Sequence, residues 1–470
     1  MTEAAAGQLR VMKFGGTSVG DPERMAATAA LVGQHAAQGQ LVVVVSAMQK
    51  VTESLLRAAT AASRRDTETW KEIGAELRRR HSEVCQVLIP AAERPAIQAQ
   101  LNAEMATFAD FCAGFSLVRE LPSRSLDSLS SLGEVMSVTL LAAILRAAGL
   151  DAEAVDATEL IVTDDGFGNA ALIFELSRER VRGRLRPLLQ RRTVPVVTGF
   201  RAATRDGSCT TLGRGGSDYS ATILGAALPA DEIWIWTDVD GMMTADPRLV
   251  PDARVIPELS YREAIELSFF GAKVLHPKSL ELPFRAGIPV LIKNGLNPGA
   301  AGTEIGRSIP ESVGVRAIAS TSEAALFTVT GDKGVSFTRL AALVFGWLDA
   351  DRVPTLVVTQ SSAENVLSFA VNSVDGARVR RRLERERSPD EGGQSLAGIE
   401  ELADLGVVVA VGDGMKGTPG IAARIFGSIA RLGINIAAIA QGSSELSVSL
   451  VVKSSDLPAA VRAMHEEFGL

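Results

Sequence analysis

The chain has 470 residues, 46% of them hydrophobic and 22% charged, a globular composition that excludes intrinsic disorder and has room for two to four domains. The net charge of −7 excludes general nucleic-acid binding through a large basic excess. Cys85, Cys112 and Cys209 show no paired spacing, which argues against a disulfide frame or structural zinc.

The N-terminal MTEAAAGQLR lacks a basic stretch followed by an apolar run, and no apolar segment reaches about 18 residues. The expectation is a cytoplasmic protein without a signal peptide or a membrane span.

Residues 11–20, VMKFGGTSVG, read as a short strand running into a Gly-Gly loop, with Lys13 at its mouth and a helix from Pro22. LVVVVS at 41–46 is a strand ending in Ser46, and the charged, leucine-spaced region 61–121 is a helical insertion. Residues 130–148 form one amphipathic helix, with Glu134 near its start, where the helix dipole favours a carboxylate. Further strands are expected at 152–155, 194–198, 232–237 and 289–293. This alternation to about residue 305 implies an α/β domain, a largely parallel sheet with helices on both faces.

The most informative stretch is 208–248. Arg214, Gly215, Gly216, Ser217 and Asp218 sit where a loop becomes a helix, with Ser217 as its expected N-cap. Glycines there let backbone approach a ligand, and first-turn amides face an anion. Thr237-Asp238 follow the strand EIWIW, and Lys273 lies in FFGAKVLHPK beside an apolar helix end. Such polar ends of one α/β layer suit phosphates and a small charged substrate. The chain has no GxxxxGK[ST], so a P-loop is excluded.

After the Pro-Gly-rich stretch NPGAAGTEIGRSIPES an internal repeat begins: residues 331–371 align without gaps onto 412–452, and Gln360 falls on Gln441. Two ferredoxin-like βαββαβ modules are expected, suited to ligand sensing or dimerisation. The expected domains are 1–305, 306–392 (linker and first module) and 393–470 (second module), with the two modules open to interleaving.

Taken together, KFGGTSVG (13–20), VVVVSA (42–47), SLGEVMS (131–137), LGRGGSDYSA (212–221), WTDVDG (236–241), ADPR (245–248) and FGAKVLHP (270–277) resemble the aspartate kinase family. The repeat is similar to that family's paired ACT modules. The phrasing looks closest to the kinase half of bifunctional aspartokinase–homoserine dehydrogenases. No dinucleotide-binding fingerprint follows, so dehydrogenase activity is expected to be absent.

The resemblance implies an amino-acid-kinase fold and ATP-dependent phosphorylation of the L-aspartate β-carboxylate to 4-phospho-L-aspartate, the first step of the aspartate-family amino-acid pathway. It implies that Lys13 and Lys273 clamp the β- and γ-phosphates, with the Gly15, Gly16, Gly215 and Gly216 amides assisting. Asp218 would hold an ammonium group or order the metal-bound triphosphate, with Mg²⁺ held largely by phosphates and water. Arg214 would grip the aspartate α-carboxylate and Glu134 its ammonium, with Thr52 and Ser217 completing the pocket. Ser46, Thr237, Asp238, Met243 and Arg248 fall at nucleotide-side positions. Met243 stands where the family commonly has tyrosine, and Glu53 where it frequently has asparagine.

The alternatives are another amino-acid kinase (acetylglutamate or glutamate 5-kinase) and a non-catalytic amino-acid sensor. A homodimer or larger assembly through the ACT modules is expected. Strand 353–359, VPTLVVT, offers no carboxylate for a lysine ammonium, and Gln360 and Gln441 suit a neutral amino acid; threonine is therefore favoured over lysine as effector.

Overall fold

The structure is a computed structural model, described for residues 8–271, 274–306, 314–332, 334–361, 363–387 and 396–470. It divides into two compact units: Met1–Met242, Pro257–Tyr261 and Val274–Ser308 make the first, and Met243–Ile256, Arg262–Lys273 and Ile309–Leu470 the second. The expected catalytic domain thus lends two segments to the C-terminal unit.

In chain order the elements to residue 306 are β1 (Leu9–Phe14), α1 (Pro22–Ala36), β2 (Gln40–Val45), α2 (Val51–Ser63), α3 (Thr67–Leu88), α4 (Arg94–Val118), α5 (Ser123–Ser130), α6 (Leu132–Ala147), β3 (Ala152–Val155), α7 (Phe174–Gln190), β4 (Val194–Thr198), β5 (Arg201–Ala203), β6 (Cys209–Thr211), α8 (Gly216–Ala227), β7 (Glu232–Thr237), β8 (Glu258–Ser260), α9 (Tyr261–Phe270), α10 (Lys278–Ala286), β9 (Val290–Asn294) and β10 (Thr303–Gly306). The eight-stranded sheet runs β3-β4-β2-β1-β7-β9-β10-β8. It is parallel from β3 to β9; β10 turns antiparallel to β9, and β8 follows β10.

Alternation along β1 decides what meets what. Met12 and Phe14 enter the core built with α1 to α4 and α6. Val11 points to the opposite face, where the Cα of Gly225 in α8 comes close enough that a Cβ there would lie 3.8 Å from Val11 and 2.5 Å from Ile233. Lys13 shares that face with Val11. Asp218 lies two turns before Gly225 on the same side of α8, so strand and helix periodicities together bring Lys13 to Asp218.

The stretch Ser123–Ala147 is long and apolar enough to span a membrane, contrary to the sequence expectation, but 83% of its most apolar window is buried inside the protein. It is a core helix pair: α6, from Leu132 to Ala147, is the helix expected over 130–148, and α5, from Ser123 to Ser130, precedes it.

The second unit continues with β11 (Ala317–Gly331), α11 (Phe337–Ala350), β12 (Thr355–Ser361), β13 (Val366–Asn372), α12 (Ser373–Arg387), β14 (Leu396–Val411), α13 (Ile421–Ala430), β15 (Ala438–Gln441), β16 (Ser447–Lys453) and α14 (Leu457–Phe468). Its sheet runs β12-β13-β11-β14-β16-β15. The long strands β11 and β14 are shared. Ala324–Thr330 pair with β13 and complete the first βαββαβ module, whereas Ala317–Thr321 pair with Val407–Val411 and supply the last strand of the second. The modules are therefore interleaved.

Each module has its own core. Leu340, Val344, Leu348, Leu367, Phe369 and Val371 fill the first, and their repeat equivalents Ile421, Ile425, Ile429, Val448, Leu450 and Val452 fill the second. Ala245 and Val250 pack into that second core, and Thr244 Oγ1 lies 2.9 Å from His465 Nε2, which is why this segment belongs to the C-terminal unit.

Candidate active site

The C-terminal ends of β1, β2, β4, β7 and β9 are level: Phe14 pairs with Val45 and Trp236, Val45 with Thr198, and Thr237 with Asn294. Loops leaving this edge meet one another, as ligand-binding loops of parallel sheets do. The Ser46 amide donates to the Phe14 carbonyl (3.1 Å), the Gly199 amide to Val45 (2.9 Å), and the Gly295 amide to Thr237 (2.8 Å).

Gly15 and Gly16 follow β1 and open a 3-10 turn, Gly16–Val19. A Cβ on Gly16 would lie 2.8 Å from the Ala47 carbonyl, so the loop packs backbone to backbone against the end of β2. A Cβ on Gly15 would sit 3.4 Å from the Lys13 ammonium. Lys13 Nζ lies 2.6 Å from Asp218 Oδ1, with both side chains 10% exposed. The cation is thus held at the mouth of the glycine loop.

Asp218 stands in the first turn of α8. The N-cap is Gly215, with φ 69°, and Ser217 lies inside the helix; this corrects the expected Ser217 cap. Only a residue tolerant of the left-handed region turns the chain so sharply there, and a Cβ on Gly215 would meet His276 at 2.5 Å. Arg214, exposed, and Asp218 both act on His276, whose pKa is lowered first by burial, then by Lys278 and Arg214. Gly216 packs under Phe200, and Ser217 lies against Gly199, where a Cβ would come within 2.6 Å.

Glu134 occupies the first turn of α6 and is 3% exposed. Its Oε2 is buried without a hydrogen-bond partner. Burial pushes its pKa up to about 8, against the Ala47 amide, its own amide and the Arg201 charge, which pull it down. Gly133 beside it presses on Ala47 and Val51, which sets the carboxyl next to the loop carrying Ser46 and the helix start carrying Thr52. Lys50 caps α2 in the left-handed region (φ 66°), and Thr52 and the exposed Glu53 lie in its first turn.

Thr237 Oγ1 donates to Asp238 Oδ1 (3.3 Å) at the end of β7. Beside it, Asp240 accepts from Asn294 (2.8 Å) and Asn297 (3.2 Å). Met243 and Arg248 belong to the other unit, with exposed Arg248 paired to Asp246 at 2.5 Å. Lys273 lies outside the described residues. Among the described residues no group of three or more His, Cys, Asp or Glu is gathered as a metal site.

The structure therefore gathers Lys13, Gly15, Gly16, Ser46, Thr52, Glu134, Arg214, Gly215, Gly216, Ser217, Asp218, Thr237 and Asp238 along one sheet edge. The sequence reading passed over Gly199, Phe200 and Arg201, which leave β4 at that edge. The signal was available, since GFR directly follows a buried strand that must end in the same layer.

Residues 8–294 match the amino acid kinase family and residues 408–468 the ACT domain. The bifunctional aspartokinase/homoserine dehydrogenase of Haemophilus influenzae is 36% identical over 467 residues, covering 97% of this chain and 56% of that protein. The chain thus spans only about half the length of the first curated relatives it matches. Aspartokinase 2, chloroplastic, of Arabidopsis thaliana is 33% identical over 465 residues, covering 97% of this chain and 84% of the relative. Among solved structures, E. coli aspartokinase III in complex with aspartate and ADP superposes with a TM-score of 0.87 at 28% identity, covering 98% and 100% of the two chains. With its family match over more than half its length, its paired βαββαβ modules and an aspartokinase relative matched over most of that relative's length, the chain belongs to the amino acid kinase family, as a member of its aspartokinase group.

Proposed function

We propose that the protein transfers the γ-phosphoryl group of ATP to the β-carboxylate of L-aspartate. A carboxylate oxygen attacks phosphorus, the bond to the bridging oxygen of ADP breaks, and ADP and 4-phospho-L-aspartate result. The nucleophile is already ionised at neutral pH, so no general base is required. The barrier is the approach of an anion to a polyanion, which positioned cations and amides lower.

The observation that carries this reading is Glu134. A buried carboxyl with one unpartnered oxygen is a receptor for an ammonium group, and it stands at the same sheet edge as the glycine loop and Lys13. Lys13, fixed by Asp218, supplies positive charge where phosphoryl oxygens gather. The Gly15-Gly16 loop lets backbone approach them, and exposed Arg214 reaches a substrate carboxylate as a planar two-pronged donor. Thr237 and Asp238 take the nucleotide side. Asp218 is paired with Lys13, and Asp240 with Asn294 and Asn297, rather than gathered as a cage, which fits Mg²⁺ carried by the triphosphate and water.

The test is hydroxylamine trapping of the acyl phosphate with purified protein, Mg·ATP and L-aspartate. Hydroxamate well above a no-substrate control is expected; product with glutamate or acetylglutamate but not with aspartate overturns the reading. We further infer that the paired modules bind an amino-acid effector, threonine in preference to lysine, and join subunits into a homodimer or larger assembly. Gln360 and Gln441 lie exposed on β12 and β15, repeat-equivalent edge strands of the shared sheet, which supports a neutral ligand there.

A further inference from the structure

Resting on the proposed aspartate-binding role of Arg214, we infer that Asp127 is a positioning residue: its buried carboxylate clamps the chain just ahead of Gly213-Arg214 and so sets where the Arg214 guanidinium meets the substrate's α-carboxylate.

Asp127 lies on α5 and is 3% exposed. Its Oδ2 accepts from the Thr211 amide (2.9 Å) and the Gly168 amide (2.9 Å), and its Oδ1 from the Thr211 hydroxyl (2.9 Å). All three donors are neutral, so geometry rather than an ion pair holds the carboxylate. Only a side chain with several acceptor lone pairs can tie two distant segments together in this way. Removing it leaves two main-chain amides without the acceptor they have in the interior.

The two segments that Asp127 joins also grip each other. The Ala170 amide donates to the Thr211 carbonyl (2.9 Å), and Asn169 packs against Gly213, where a Cβ would lie 2.5 Å from Asn169 Oδ1. Gly213 has φ 77°, which only glycine adopts readily, and Arg214 follows it directly. On the other side the Leu212 amide donates to the Phe200 carbonyl (2.9 Å). Thr211 to Gly213 are therefore held from both sides, with Asp127 as the buried end of one of them. Arg214 is exposed and forms no ion pair among the described residues, so its placement depends on this backbone.

The helix that follows is fastened independently. Asp218 pairs with Lys13, and Ser220 Oγ accepts from the Phe200 amide (3.0 Å). Loosening the Asp127 clamp should thus release Arg214 and leave Lys13 and the glycine loop in place. A strut that served stability alone would leave the substrate affinity of the folded protein unchanged.

The experiment compares wild type, Asp127→Ala, Asp127→Asn, Arg214→Ala and the double variant Asp127→Ala with Arg214→Ala, measuring KM for L-aspartate, KM for ATP, kcat and Tm. In Asp127→Ala, KM for aspartate should rise about tenfold, short of the ~10²-fold scale of a displaced reacting group, with KM for ATP within about twofold. Asp127→Asn should restore most of the affinity, because its amide oxygen can accept both main-chain amides and its NH₂ can donate to the Thr211 hydroxyl. In the Arg214→Ala background, Asp127→Ala should add less than about twofold to KM for aspartate, since coupled residues are not additive. A folded Asp127→Ala with unchanged KM for aspartate, or with both KM values raised equally, would overturn the inference. So would an Asp127→Asn as impaired as Asp127→Ala, or a full additive effect in the double variant. If Asp127→Ala does not fold, Thr211→Val, which removes one of the three bonds, decides: KM for aspartate must rise about threefold with KM for ATP unmoved, and an unchanged KM for aspartate refutes the proposal. A wild type that is inert with aspartate refutes the proposed function instead.

Discussion

Lys13 and Asp218, 205 positions apart in sequence, meet as a 2.6 Å ion pair at the edge where the glycine loop and the first turn of α8 converge. Breaking it from either side leaves a charge in a largely closed site, which costs about 3–5 kcal/mol when the pair is buried and less at 10% exposure. Lys13→Ala is expected to lower kcat by about 10²- to 10³-fold, the scale for losing one preorganised donor. Lys13→Met and Asp218→Asn should each lower Tm, and the double variant should lose less than their sum. Strictly additive losses in a denaturation cycle would mean that the pair is not coupled.

Glu134 makes a pH prediction whose sign is fixed. Its folded pKa, about 8, lies above the ordinary carboxyl value, so between the two the folded state holds one proton more than the unfolded chain. The stabilisation is complete at low pH and is lost as pH rises toward 8. Glu134→Gln should therefore gain stability relative to wild type as pH goes from 5 to 8.5, by at most about 1.4 kcal/mol for each pH unit crossed. A Tm difference that stays flat across that range would show the carboxyl ionised throughout. The same variant should nearly abolish activity with aspartate.

Gly199→Ala offers a test of packing. Its Cβ would lie 2.6 Å from both the Cβ and the Oγ of Ser217, so the site loop or the start of α8 must move. A displacement of this kind at a reacting centre typically costs about 10²-fold. The expected outcome is a large fall in kcat/KM with a near-native circular dichroism spectrum; full activity would mean that this contact is slack.

Arg214 is exposed and, among the described residues, forms no ion pair. Its removal should leave no buried charge stranded. Arg214→Ala is expected to raise KM for aspartate while changing kcat and Tm little, the pattern of lost uniform binding. A fall in kcat with KM unchanged would move Arg214 from substrate binding to transition-state stabilisation.

For the effector, titration of activity should give inhibition by threonine and none by lysine at equal millimolar concentration. Gln360→Ala should weaken that inhibition and leave basal turnover intact. Phe337 opens α11 where a small flexible residue would suit a ligand loop, so the response is expected to be weak. Inhibition by lysine alone would refute the sensor assignment.

The core strands to residue 294 were legible because each is a short, largely apolar run: 152–155, 194–198 and 232–237 coincide with β3, β4 and β7, and 41–46 and 289–293 differ from β2 and β9 by one residue. Burial on both faces of a parallel sheet demands such runs, and turn chemistry ends them. The repeat was legible for a related reason, since the periodicities that place Leu340, Val344 and Phe369 in one core place Ile421, Ile425 and Leu450 in the other. The short strands β5, β6, β8 and β10 were missed, being too brief for any period to show.

The sequence by itself determined which residue types the site possesses and that strand ends carry them, because glycines, lysines and carboxylates at such ends serve little else. Only the tertiary structure decided which of them meet. Lys13 faces Asp218 because β1 and α8 share one sheet face, Gly215 rather than Ser217 caps α8 because the chain must turn through the left-handed region there, and Ala317–Thr321 complete the second module across a shared strand. The Lys13–Asp218 pair and the shared strand join residues far apart in the chain, and local periodicity carries no record of such a partner.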